Sequence, residues 1–148
     1  MQVFFGWGKI GAMVDKKSKT WAGCPVRFGM SQFGDKWSFL ILRDLMFKGR
    51  QYYHEFLEAG EGISTNVLAS RLLDLEGNGI VTKKRDPIKG SRYIYSLTQK
   101  GTELLPMMLA MMDWSEKYDA QTEVPEGFIS QLRQDPEQLK KDILDNLP

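Results

Sequence analysis

Apolar residues in the first half of the chain recur at helical spacing. A first helix is predicted from Cys24-Pro25 to the Gly34-Asp35 pair, because proline is favoured at the first position of a helix. A second helix is predicted from Lys36 to Phe47, and Gly49 closes it. Its apolar face is broad and consists of Trp37, Leu40, Ile41, Leu42 and Leu45.

Two further helices are predicted on either side of a glycine-rich turn. A short helix runs from about Tyr53 to Ala59, and Gly60-Glu61-Gly62 forms the turn. Ser64 is well placed to cap the next helix, which Gly77 and Gly79 terminate. Its inward positions are Val67, Leu68, Leu72 and Leu75. Two helices joined by a tight turn are typical of a helix-turn-helix unit.

Beyond Gly79 the period of the pattern changes from helical to alternating. Ile80–Arg85 and Arg92–Leu97 are predicted as two strands of a hairpin whose tip is long and basic. Thr98 is predicted to cap a long helix that reaches Tyr118 and that Pro106 loosens or kinks. The fold class is therefore α+β, mainly α, with the element order of a winged helix-turn-helix.

The end of the chain predicts one more helix after a linker. Residues 122–127 form the linker, and Asp135 is the expected cap of a helix that starts at Pro136. Its single apolar stripe consists of Leu139, Ile143 and Leu147.

Composition narrows the range of possible functions more than it narrows the range of possible folds. The 148 residues suit one domain with short appendages, and no apolar run approaches the roughly 20 residues that a membrane-spanning helix needs. With a single cysteine and a single histidine, the chain has almost no material for a zinc site or a histidine-based triad. We therefore expect no metal, no cofactor, no enzymatic activity and no membrane partner, and a cytoplasmic location.

The small net charge of +1 conceals a strong asymmetry. Lys and Arg counted against Asp and Glu give +4 for residues 64–100 and −5 for residues 113–148. The basic segment includes the predicted hairpin, so an anionic partner is expected there and not along the whole chain. A solvated basic face without a partner is the alternative.

Several blocks along residues 22–120 resemble the HxlR-type family of bacterial winged-helix transcriptional regulators, which are relatives of the MarR group. The matching blocks are Cys24-Pro25, Gly34–Trp37, Leu40–Arg43, Gly62–Leu68, Arg71-Leu72, Leu75-Glu76, Gly79–Val81, Tyr93, Tyr95–Thr98, Lys100-Gly101, Leu104–Pro106 and Trp114. The resemblance implies a homodimer that binds palindromic operator DNA. We therefore expect a DNA-binding domain (22–97) and a dimerisation helix (98–120) within the resemblance, and an N-terminal arm (1–21) and an acidic tail (121–148) outside it.

The resemblance and the helical period together indicate which residues contact DNA. Thr65, Asn66 and Ser70 point away from the predicted core near the start of the second helix of the motif, where base edges are contacted. Basic residues of the hairpin are expected to contact phosphates. The full predicted set is Ser64, Thr65, Asn66, Ala69, Ser70, Arg71, Lys83, Lys84, Arg85, Lys89, Arg92 and Arg50.

Some positions keep two interpretations. Tyr52 either contacts the DNA backbone or belongs to a strand of the small sheet, and the role of outward-facing Leu73 is open. A winged-helix module that binds protein and not DNA is the alternative function, and a small enzyme lacks a nucleophile–base pair.

Residues 99–118 are apolar around most of the predicted helix, which is too much for a surface helix of a small domain. Either the helix lies in the core or it forms a subunit interface, and we favour the interface. The predicted interface residues are Leu104, Leu105, Met108, Met111, Met112 and Trp114. Phe4, Phe5, Trp7 and Trp21 are predicted to pack on the partner as an arm.

Cys24 is the one candidate for redox chemistry. At the start of a helix and three residues before Arg27, its thiolate is favoured. With no second cysteine, oxidation gives an intersubunit disulfide, a mixed disulfide or an oxyacid. An inert cysteine that serves as helix cap is the alternative. Whether Cys24 or a small-molecule effector modulates DNA binding is not decided by the sequence.

Overall fold

The computed structural model describes residues 23–148, so the predicted N-terminal arm lies outside the described residues. Two strands form an antiparallel hairpin that pairs Val81 with Leu97 and Arg85 with Tyr93. The elements are α1 (Pro25–Phe33), α2 (Lys36–Phe47), α3 (Tyr53–Leu57), α4 (Thr65–Gly77), β1 (Val81–Arg85), β2 (Tyr93–Leu97), α5 (Gln99–Thr102), α6 (Leu105–Tyr118), α7 (Phe128–Gln134) and α8 (Pro136–Asp145). This order confirms the mainly α winged helix-turn-helix.

Asp35 starts α2 and also ties it to α4. Its Oδ1 accepts hydrogen bonds from the backbone N–H groups of Trp37 and Ser38, both at 3.0 Å, and its Oδ2 accepts from the Ser38 hydroxyl at 2.6 Å. The Nε of Arg71 in α4 donates to the same carboxylate at 3.1 Å. Partial burial opposes ionisation, but the hydrogen bonds from Ser38 and the charge of Arg71 outweigh it and lower the pKa of Asp35.

The first hydrophobic cluster joins α2 to the helix-turn-helix and the hairpin. Ile41, Leu42 and Leu45 of α2 are buried against α4, whose inward side chains are those that the sequence predicts. The other buried members are Phe56, Ile63, Leu68, Leu72, Leu75, Ile80, Val81 and Tyr95. This cluster fixes the orientation of α4 and therefore decides which of its residues face solvent.

A second cluster covers the opposite side of α2 with the C-terminal helices. Met46 of α2 packs with Leu105, Met108 and Leu109 of α6 and with Leu139 of α8. Two of the predicted subunit-interface residues, Leu105 and Met108, are only 1% and 5% exposed in the single chain. Their assignment to the interface is therefore corrected, because α2 and α8 of the same chain already cover them.

The prediction of one long helix from Thr98 to Tyr118 is wrong, because the structure has two helices there. Thr98 caps only the short α5, and α6 starts afresh at Leu105. Pro106 has no N–H to donate to the preceding turn and disfavours helical geometry at the residue before it, so the proline falls in the first turn of a new helix. Within residues 23–148 no helix is long and apolar enough to cross a bilayer.

The base of the hairpin is held by a close backbone contact. The carbonyl of Ile80 accepts from the backbone N–H of Thr98 at 3.0 Å, and the Thr98 hydroxyl lies 3.1 Å from the same oxygen. Gly101 is buried beside this carbonyl, where a Cβ would lie 2.2 Å from the Ile80 oxygen. Only glycine fits at position 101 without moving the hairpin away from α5.

The acidic tail contains a helix that the sequence did not predict. Helix α8 and its cap were predicted, and both are confirmed: the helix starts at Pro136, and Asp135 accepts from the Gln138 N–H at 3.1 Å. The added helix is α7, which buries Ile129. Arg133 of α7 donates to Asp113 at 2.7 Å and to Glu116 at 2.9 Å, so charged groups as well as apolar contacts hold the tail to α6.

We predict that Asp35→Ala lowers the free energy of unfolding by about 1–2 kcal/mol, because it removes both the cap of α2 and the partner of Arg71. Asp35→Asn keeps an oxygen for capping and costs less than about 1 kcal/mol, the ordinary contribution of an exposed ion pair. Urea denaturation at pH 7 measures both values. Equal losses in the two variants would contradict the capping role.

The lowered pKa also predicts a pH dependence. A depressed native pKa contributes stability above the unfolded pKa of Asp, near 3.9, and loses it as the pH falls through the native value. Wild type therefore loses stability more steeply than Asp35→Asn as the pH is lowered below about 4.5. Parallel curves for the two proteins would contradict this.

We predict that Leu139→Ala lowers the free energy of unfolding by about 2–5 kcal/mol, because the side chain is 5% exposed and its loss opens a cavity beside α6. Leu144→Ala is the matched control on the same helix. Leu144 is 41% exposed, and its truncation changes stability by about 0.5 kcal/mol or less. If urea denaturation gives the two variants the same small effect, the tail does not stabilise its own chain.

Candidate nucleic-acid interface

The exposed face of α4 begins immediately after a turn that requires glycine. Gly62 adopts φ +75°, a conformation that residues with a Cβ rarely take, and Ile63 is buried beside it. Ser64 caps the helix as predicted, its hydroxyl accepting from the Val67 N–H at 3.3 Å. Four predicted contact residues of the first two turns are exposed: Thr65, Asn66, Ala69 and Ser70.

A buried carboxylate supports this turn from α2. Asp44 is 2% exposed, and its Oδ1 accepts from Arg43 at 2.8 Å and from Arg50 at 3.0 Å. Arg43 also pairs with Glu61 at 2.6 Å, which links the carboxylate to the turn before α4. Partial burial opposes the charge of Arg43, but the hydrogen bonds that it donates to Glu61 and Asp44 outweigh this effect and raise the pKa of the guanidinium.

Three predicted phosphate contacts are already paired inside the chain. Arg50 binds Asp44, Arg71 binds Asp35 and Asp74, and Lys83 lies 3.2 Å from Glu76. The hydrogen bond to Glu76 also raises the pKa of Lys83. The DNA contacts of these three residues stay a prediction, and in the folded chain their charges also hold α2, α4 and β1 relative to one another.

The remaining cations lie on the hairpin and are exposed. Lys84 and Lys89 form no ion pair within residues 23–148, and neither does Arg92. Arg85 donates to the carbonyl of Gly90 at 2.6 Å, so its guanidinium both closes the hairpin and stays at the surface. This cationic edge, defined as Lys84, Arg85, Lys89 and Arg92, is the part of the predicted wing that is free to contact phosphates.

The hairpin is joined to the helix-turn-helix by a third, one-residue strand. Tyr52 forms a β-bridge with Ile94, and the Tyr95 N–H donates to the Gln51 carbonyl at 2.8 Å. Of the two interpretations of Tyr52, the strand residue is confirmed. Its hydroxyl donates to buried Asp86 at 3.2 Å, a contact that no local sequence pattern indicates.

Asp86 organises the turn at the tip of the hairpin. Its carboxylate accepts from the Ile88 N–H at 2.8 Å, and this bond is the main cause of the lowered pKa of Asp86. Ile88 itself is 89% exposed. The tip therefore has a fixed backbone with an apolar side chain pointing outward, although the sequence predicted only basic turn material.

The structure also shows the surroundings of Leu73, of Cys24 and of the predicted interface residues near α6. Leu73 is 66% exposed and does not pack under the hairpin. Cys24 occupies the N-cap position of α1 and its side chain makes no capping hydrogen bond, and both the redox role and the inert alternative stay predictions. On α6, Met111 is 45% exposed and Trp114 64% exposed, whereas Leu104 and Met112 are half-buried against the second cluster.

An exposed helix face after a tight turn, next to a cationic hairpin, defines a winged helix-turn-helix regulator. The chain belongs to the HxlR-like helix-turn-helix family of transcriptional regulators, whose model matches residues 32–123. The HTH-type transcriptional regulator sll1512 of Synechocystis is 39% identical over 98 residues, which are 64% of this chain and 72% of that protein.

Two solved structures show the same fold. The transcription-factor candidate PA1607 has a TM-score of 0.63 and 37% identity, over 71% of this chain and 72% of its own. The redox regulator HypR in its oxidised form has a TM-score of 0.57 and 30% identity, over 68% of this chain and all of its own.

Proposed function

We propose that this regulator acts in the cytoplasm as a homodimer that binds palindromic double-stranded operator DNA. One observation carries the proposal: the start of α4 and the cationic edge are exposed, are close to each other along the chain, and have complementary chemistry. The start of α4 offers small polar side chains for base edges, and the cationic edge offers positive charge for phosphates. Two copies of α4 would enter successive major grooves about 34 Å apart.

The base contacts are assigned to Thr65, Asn66, Ala69 and Ser70. Asn66 is exposed and its amide has no hydrogen-bond partner within residues 23–148, so it is available for the bidentate pair with adenine. The methyl groups of Ala69 and Thr65 suit the methyl group of thymine. Ser64 remains a cap first, because its hydroxyl is committed to the backbone of α4.

The second subunit is assigned to the outer face of α6. Trp114 and Tyr118 are each 64% exposed, and their rings contact each other at a tilt of 42° with centroids 5.1 Å apart. Together with Met111 they form an apolar strip on a helix whose other side is buried, and such strips typically mark protein–protein contacts. Val26 and Met30 of α1 are also exposed, and they add apolar surface that suits a protein–protein contact.

Redox modulation is proposed at Cys24. The redox regulator HypR shares the fold, and Cys24 is the only cysteine of the chain. Oxidation of the thiols of two subunits, by an oxidant that takes up the two protons and two electrons, would form one intersubunit disulfide. No catalytic role is assigned to it.

We predict that wild type selects a palindromic sequence from a fragment library and that Asn66→Ala relaxes the choice at one base pair per half-site. The expected loss of discrimination is about 1–3 kcal/mol. Binding titrations on the selected site and on single-base variants measure it. If wild type selects nothing, the DNA assignment fails and a protein-interaction module becomes the leading function.

We predict that Lys84→Ala lowers the salt dependence of DNA binding. Each lost phosphate contact reduces the slope of log K against log [salt] by about 0.9. Lys141→Ala is the matched control, because Lys141 lies on α8 and pairs with Asp145 at 2.8 Å. An equal change of slope in both variants would mean that overall charge, and not the cationic edge, governs binding.

We predict that wild type sediments at twice the 17.0 kDa mass of the chain and that Trp114→Glu shifts it to the monomer, because burying a carboxylate in an apolar contact is costly. Ile88→Glu is the control, since Ile88 is equally apolar and exposed but lies at the hairpin tip. Analytical ultracentrifugation gives the mass of each. A dimeric Trp114→Glu protein would move the interface away from α6.

A further inference from the structure

A cleft of about 460 Å³ lies between the helix-turn-helix and the hairpin. Its walls come from the start of α3 on one side and from β2 with the preceding turn on the other. The lining residues are Tyr52, Tyr53, His54, Ser91, Arg92, Tyr93 and Tyr95. The cleft exists because the Tyr52–Ile94 bridge draws the chain before α3 alongside β2. Its volume falls within the roughly 300–1,000 Å³ of small-molecule sites.

The lining is aromatic, with a single strong cation at the edge. Four of the seven residues are tyrosines, and the rings of Tyr52 and His54 lie with centroids 5.7 Å apart. The guanidinium of Arg92 lies 5.9 Å from the centre of the Tyr52 ring and forms no ion pair within the described residues. Such a lining suits a flat aromatic molecule that carries one negative charge.

The hydroxyl of Tyr95 is an unpaired hydrogen-bonding group in the lining of the cleft. It is only 8% exposed, the most buried residue of the lining, yet its hydroxyl has no hydrogen-bond partner within residues 23–148. Burial raises the pKa of this phenol, so at neutral pH it is a hydrogen-bond donor. Every fully buried side-chain polar atom within residues 23–148 has a partner, so the Tyr95 hydroxyl is open to the cleft and is available to an acceptor bound there.

The cleft is connected to both elements of the DNA interface. Tyr53 lines the cleft, and its hydroxyl donates to the carbonyl of Thr65, the first residue of α4, at 2.9 Å. Arg92 lines it from the other side and belongs to the cationic edge. An occupant therefore contacts one residue that holds the start of α4 and another that is assigned to phosphate.

We propose that this cleft is the effector site of the regulator and that it binds an aromatic carboxylate of one or two rings, whose occupancy lowers DNA affinity. The rings of Tyr52, Tyr53 and Tyr93 contact the flat faces of the ligand. Arg92 and the Tyr95 hydroxyl bind its carboxylate. The regulatory part of the inference rests on the proposed DNA binding, whereas the ligand site does not.

Calorimetry of the full chain with 1-naphthoate, in the absence of DNA, tests the site. Tyr95→Phe, which removes only the hydroxyl, is expected to weaken binding roughly tenfold, and Arg92→Gln at least as much. Lys141→Gln is the matched loss of charge outside both the cleft and the cationic edge, and it leaves the affinity unchanged. Neutral 1-naphthamide is expected not to bind.

Three results would overturn the site. Equal binding of 1-naphthamide would show that the carboxylate is not recognised, and full affinity in both cleft variants would place 1-naphthoate elsewhere. Binding of the dinucleotide thymidylyl-thymidine with the same sensitivity to Arg92→Gln, without binding of 1-naphthoate, would make the cleft part of the DNA contact surface.

Titration of operator DNA with and without 1-naphthoate tests the regulatory part. The ligand is expected to weaken DNA binding of wild type and to have little effect on Tyr95→Phe. Unchanged DNA affinity at saturating 1-naphthoate would overturn the regulatory part. Because the calorimetry contains no DNA, failure of the proposed function is recognised separately as loss of operator binding with the ligand affinity intact.

Discussion

Burial of α2 on both of its sides is the constraint on which the rest of the molecule depends. One side contributes Ile41, Leu42 and Leu45 to the cluster beneath α4 and the hairpin. The other contributes Met46 to the cluster formed with α6 and α8. A helix that is apolar on both sides cannot be covered by the helix-turn-helix alone, so the C-terminal helices are part of the stable unit.

Ion pairs, in addition to apolar burial, hold the helices in their relative positions. Asp44, buried in α2, holds two arginines and through Arg43 reaches the turn before α4, and Asp35 holds Arg71. Removing a partner of buried Asp44 costs more than the pair contributes, whereas the more exposed Asp35–Arg71 pair contributes about 1 kcal/mol or less. The same pairing distinguishes these arginines from the cationic edge, whose members form no ion pair within residues 23–148.

Local signals allowed most of the elements from α1 to β2 to be predicted. Caps such as Ser64 and Asp135, the glycine turn and the change to alternating strands act over three or four residues, and the structure follows them. The break before α6 was predicted only as a kink, although its cause, Pro106, was identified. Helix α7 is short and is stabilised by contacts with α6, which no local pattern contains.

The candidate site was less predictable for a related reason. Exposure of Thr65, Asn66, Ala69 and Ser70 follows from the helical period once the inward leucines are known. The pairing of Arg71 with Asp35 joins residues 36 positions apart, and a charge pattern along the chain cannot distinguish it from a free cation. The aromatic cleft likewise arises where Tyr52 meets Ile94, a contact that only the folded chain creates.

The contact between Gly101 and the Ile80 carbonyl limits how such a regulator can diverge. The angle between hairpin and α5 is fixed there by the van der Waals radii of backbone atoms, and no side chain is present whose size could be varied to tilt the hairpin. A related regulator that acquires a new operator is thus expected to differ in side chains on α4 and at the hairpin tip. The orientation of the hairpin relative to α5 is expected to stay the same.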